Sequence, residues 1–127
     1  MANVKVHVSQ QAPAPIGPYS QAVEVNGLMF CSGQIPLDPV SGAMVGSTVG
    51  EQAEQVMSNI KAVLASADLT LASVVKTTIF LTDMADFQAV NEVYAKHMGV
   101  TKPARSTIAV LALPKGAKVE IEVLAAR

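Results

Sequence analysis

Residues 50–81 read GEQAEQVMSNIKAVLASADLTLASVVKTTIFL, and the pattern changes within the run. Val56, Met57, Ile60, Val63, Leu64 and Ala67 fall on one helical face, which predicts an amphipathic helix from about Gly50 to Ala67. Val74 to Leu81 is rich in β-branched residues and predicts a central strand. Downstream, Asp86 can cap a second helix that carries Phe87, Val90, Tyr94 and Met98 near one face, with Gly99 placed to stop it. Arg105 to Leu111 reads as a further strand. Leu113-Pro114-Lys115-Gly116 turns the chain, and Val119, Ile121 and Val123 then alternate with Glu120, Glu122 and Leu124. Upstream, Val4, Val6 and Val8 alternate with Lys5, His7 and Ser9 as in a half-buried first strand, with the valines inward. A proline-rich loop follows at residues 12–19, and Asn26-Gly27 joins two short strands, 22–25 and 28–31, as a hairpin. Asp38 to Val49 is a long surface loop. The order is βββαβαββ, an α+β sandwich of a mixed β-sheet with two helices on one face.

At 127 residues the chain fits one domain over 1–127. Half of it is hydrophobic, yet no run reaches the roughly 20 apolar residues of a membrane span. Met1 to His7 lacks the layout of a secretory signal, and the lone Cys31 excludes an internal disulfide and a multi-cysteine metal site. A cytoplasmic location is the default expectation. Net charge is −1 and the nine basic residues are scattered, so neither nucleic acid nor membrane is an expected partner. Two helices on one side leave the other sheet face uncovered. Together with a charged fraction of only 15%, that face predicts a homo-oligomer.

Few side chains point to chemistry. His7 falls on the polar side of its strand and His97 near a helix end, where a cation is welcome. Cys31 sits in an apolar strand as a small inert hydrophobe. Arg105, just after Pro103 at the start of a strand, offers a planar fork suited to a carboxylate, although most arginines serve only in surface ion pairs. Glu120 and Glu122 share one face of the last strand, where glutamate is disfavoured; they serve either a solvated face or acid–base work at a subunit interface. A hairpin centred near Pro114 would set Glu120 opposite Ala109 and Arg105 opposite Leu124, about 13 Å apart along the ladder.

Four ordered motifs narrow the choice. Residues 16–22 (IGPYSQA), 32–36 (SGQIP), 103–107 (PARST) and 119–122 (VEIE) resemble the RidA family, also called YjgF or reactive-intermediate imine deaminases, and the resemblance spans essentially the whole chain. It implies a chorismate-mutase-like fold, a homotrimer with sites between subunits, and cofactor-free hydrolysis of 2-imino and enamine acids to 2-oxo acids and ammonia. Carried over by position, Arg105 clamps the substrate carboxylate and Glu120 positions or activates water. Tyr19 and Asn91 line the pocket, and Ser32 and Gly33 form a loop against the ligand. Thr107 stands where the family often has cysteine, so no thiol is required there, whereas a main-chain contact would survive. Glu122 is read as structural. The alternatives are a regulatory trimer that senses 2-oxo acids, and an endoribonuclease, which the absence of a basic stripe or a histidine pair disfavours.

Overall fold

In the computed structural model, which describes residues 3–127, six strands form one mixed sheet. The strands are β1 (Lys5–His7), β2 (Ala22–Val25), β3 (Leu28–Cys31), β4 (Val74–Leu81), β5 (Ala104–Ala109) and β6 (Val119–Ala126). Helices α1 (Val49–Ala65) and α2 (Phe87–Met98) complete the expected order. Met1 and Ala2, the start of the N-terminal reading, lie outside the described residues. Among the described residues no helix is long and apolar enough to cross a membrane.

Both helices cover one face. Val56, Met57, Ile60, Val63 and Leu64 of α1 and Val90, Tyr94 and Met98 of α2 are buried, in one cluster with Ile79, Leu81, Val119, Ile121 and Ala125 of the sheet. Burial alternates along β6, so Glu120, Glu122 and Leu124 point to the open face. Thr48 and Glu51 close a reciprocal capping box that fixes the start of α1. At the hairpin, Asn26 and Gly27 both take positive φ, 53° and 78°, which suits a right-twisted two-residue turn.

Four expectations need correction. The strand order is β1-β2-β3-β6-β4-β5, with β5 parallel to β4 and β6 inserted antiparallel between β3 and β4. The segment after Ala109 therefore carries the chain across β4, and the β5–β6 hairpin register is wrong. The strand read as Arg105 to Leu111 runs from Ala104 and stops at Ala109. The first strand is inverted: Val4, Val6 and Val8 are exposed while His7 and Ser9 are buried. His7 turns inward because Glu24 Oε1 meets its Nε2 at 2.8 Å, and the Ser9 amide donates to Gln21 Oε1 at 2.6 Å. Finally, Asp86 precedes α2 without a side-chain cap; Asp83 instead accepts from the Ala85 amide and caps the 3-10 turn before it.

Candidate functional site

Arg105 lies on β5 on the helix-covered side. Phe87, Asn91 and Tyr94 sit at i, i+4 and i+7 of α2, a spacing that stacks them on one face. Arg105 Nη1 donates to Asn91 Oδ1 at 2.7 Å. Its guanidinium carbon stands 5.1 Å from the Tyr94 ring centre and 5.6 Å from that of Phe87, both within cation–π range. The Tyr94 hydroxyl shares a buried 2.9 Å hydrogen bond with Thr77 Oγ1, and Thr77 is the register partner of Arg105. The shelf under the guanidinium is thereby locked to the sheet. Among the described residues no carboxylate pairs with Arg105. Thr107 follows two residues on, on the same side, and its buried Oγ1 has no hydrogen-bond partner.

Glu120 lies on the other face. Its backbone neighbour Ile121 bridges to Gln34, with Gln34 N–H donating to the Ile121 carbonyl at 2.9 Å. That pairing draws Gly33 so close that a Cβ there would run into the Glu120 carboxylate. Burial, and then the nearby Glu122, hold the Glu120 carboxyl above its ordinary value of 4.5. The Ser32 hydroxyl donates to the Ser20 carbonyl at 2.6 Å, so its proton is already engaged. Tyr19, Ser32, Gly33 and Glu120 line a common cavity of about 500 Å³.

The candidate residues thus form two clusters. Arg105, Asn91 and Thr107 make one; Glu120, Tyr19, Ser32 and Gly33 make the other. Arg105 pairs with Thr77 and Thr77 with Val123, while Glu120 pairs with Phe80. The two are about 10 Å apart along the strands and about 10 Å across them, on opposite faces. The two residues are apart, as expected, but the expected spacing of about 13 Å along a β5–β6 ladder is replaced by an offset across two strands and between faces.

The remaining chemical candidates are structural. His97 meets Glu54 of α1 at 3.2 Å, so it pairs with a carboxylate as well as sitting at a helix end. Burial pushes the Cys31 thiol up to about 12, too high to furnish a thiolate. Sequence reasoning missed two organisers. Gln21, buried, holds the proline-rich loop through Ser9 and through the Pro13 carbonyl at 2.9 Å. Asn59 of α1 donates to the Leu37 carbonyl at 3.0 Å. A polar residue at an otherwise apolar helical position was the available signal for Asn59, and likewise for Asn91.

Comparison with known proteins gives the family and the fold. A family model described as Endoribonuclease L-PSP matches residues 9–127. The mouse protein named 2-iminobutanoate/2-iminopropanoate deaminase is 47% identical over 95% of this chain and 90% of its own. The crystal structure of YyfA from Yersinia pestis, of the conserved Rid protein family, superposes with a TM-score of 0.96 at 48% identity, covering 98% of this chain and all of that one. The structure of Escherichia coli TdcF with bound serine gives a TM-score of 0.91 at 40% identity, over 97% of this chain and 99% of that one.

Proposed function

The chain belongs to the Endoribonuclease L-PSP family, the YjgF/RidA group, and from that premise we propose that it hydrolyses 2-imino acids, in equilibrium with their enamines, to 2-oxo acids and ammonia. The observation that carries this reading is Arg105: a guanidinium held by Asn91 over two aromatic rings and, among the described residues, with no carboxylate of its own. A fork prepared in this way, and left unpaired, suits an anionic ligand. In this reading Arg105 binds the substrate carboxylate and aims the imine carbon at Glu120. Water adds to that carbon while Glu120 takes its proton. The tetrahedral adduct then collapses: Glu120 returns the proton to nitrogen, the C–N bond breaks to release ammonia, and the hydroxyl oxygen gives up its own proton as it becomes the carbonyl. Orientation supplies most of the rate, because a protonated imine is already electrophilic.

The opposed faces of Arg105 and Glu120 support a site shared between copies, with Arg105, Asn91 and Thr107 from one subunit and Tyr19, Ser32, Gly33 and Glu120 from its neighbour. Exposed Val6, Leu28, Phe30 and Ile108 on the open face offer the apolar surface for that assembly. The family resemblance makes it a homotrimer of single-domain chains over 1–127. On the same reading the enzyme works in the cytoplasm without a cofactor, and neither nucleic acid nor membrane is a partner. The test is ammonia release from 2-iminobutanoate made in situ by a threonine dehydratase. Acceleration over buffer supports the reading; none, with tight 2-oxo-acid binding, would assign the cleft to sensing instead.

A further inference from the structure

We infer that the cavity beside Glu120 is a side-chain pocket for 2-imino acids with long apolar side chains, of the size of those derived from leucine or phenylalanine. The inference rests on the deaminase reading and narrows its substrate class.

The cavity measures about 500 Å³ in the single chain and is open to solvent there; in the proposed assembly the neighbour's Arg105 cluster takes part of that space. Gly33 packs against the Glu120 carboxylate, and Gln34 pairs with Ile121 beside it. Apolar side chains also line the cavity: Pro13, Ile16, Ile35, Leu37 and Pro114. Tyr19, Gln21 and Lys115 add polar groups to the lining. The Ser32 hydroxyl donates its proton to a main-chain carbonyl, so it can offer a ligand only an acceptor.

The walls are also fixed before any ligand arrives. Gln21 ties down Pro13, and the Asn59 amide reaches the carbonyls of both Ile35 and Leu37. A preformed apolar wall gains about fourfold in affinity per methylene buried against it. A two-carbon side chain, held by its carboxylate at the neighbour's Arg105, reaches less of this wall than a branched four-carbon or benzyl one. Lys115 stands on an exposed turn at the cavity mouth and is the cation that could favour a dicarboxylate instead.

The experiment compares imines generated in situ from 2-aminobutyrate, leucine, phenylalanine and glutamate by a broad-specificity amino-acid oxidase with catalase. Each hydrolysis adds water across C=N and releases ammonia, and the decay of the free imine above the buffer rate gives kcat/KM. The leucine and phenylalanine imines should exceed the butyrate imine by about tenfold or more. Equal or faster turnover of the butyrate imine overturns the inference and leaves the deaminase reading intact. Preference for the glutamate imine also overturns it, in favour of Lys115. No acceleration with any imine defeats the deaminase reading itself.

Calorimetric binding of 4-methyl-2-oxopentanoate against 2-oxobutyrate gives a readout independent of turnover and should show the same order. Ile16 is 77% exposed, so Ile16→Asp spares the core; it should cut the leucine-to-butyrate ratio about tenfold. Leu37→Trp, which narrows the inner wall, should do the same. Unchanged ratios in both variants overturn the assignment.

Discussion

Arg105 is exposed, yet it is held in place by an amide acceptor and two rings. On the proposed reading its removal therefore costs binding and not stability. Arg105→Ala should lower kcat/KM by about two to three orders of magnitude, as expected for a lost charge-paired clamp, with an unchanged melting temperature. In the proposed reaction Glu120 sets the acid limb of the pH profile. Burial and Glu122 raise its proton affinity, so the base is ready only above the ordinary glutamate value of 4.5. The midpoint in kcat/KM should lie above pH 4.5, and Glu122→Gln should move it toward lower pH. Gly33 fits because it lacks a Cβ, which would strike the Glu120 carboxylate. Gly33→Ala should displace that carboxylate and reduce kcat/KM by about 10²-fold, with little change in melting temperature. At this scale the sequence was legible in part. Motif positions singled out Arg105 and Glu120, and strand alternation put Glu120 on the polar face. The shelf of Phe87 and Tyr94 was hidden, because two aromatics at helical spacing read equally well as core.

Local rules predicted most elements. The face of α1 and the bounds of β4 follow the hydrophobic period, and the Asn26-Gly27 turn follows its backbone preference. Thr48 accepts from the Glu51 amide at 3.2 Å, while Glu51 Oε1 receives the Thr48 amide at 3.1 Å. Thr48→Ala should cost about 1 kcal/mol, seen as a fall in melting temperature of about 3–5 °C at this chain length. β1 broke the usual rule because its two sides face different surroundings. Buried His7 reaches Glu24, which Arg127 grips through Nε and Nη2 at 2.9 Å each. The valines are left to the open face. Alternation alone cannot reveal which way such a strand points when a pairing carboxylate draws its polar side inward. The order of β4, β5 and β6 was illegible for another reason: local pattern does not say whether two strands joined by a short turn region are neighbours.

For the molecule as a whole, the open face and the two opposed clusters raise one question. Val6 is 55% exposed and Phe30 46%, on the sheet side that no helix covers. A single chain turns Arg105 toward the helices and Glu120 away from them. The proposed deaminase site therefore takes its guanidinium from one copy and its carboxylate from another. Mixing Arg105→Ala and Glu120→Gln chains tests this directly. Each variant alone should be nearly inactive. Denatured together in equal amounts and refolded, they should recover about one quarter of wild-type activity, since random assembly gives each interface an intact Arg105 and an intact Glu120 with that frequency. Reassembled mixed oligomers with no recovery above the separate variants would place both residues in the same chain's site and contradict the account.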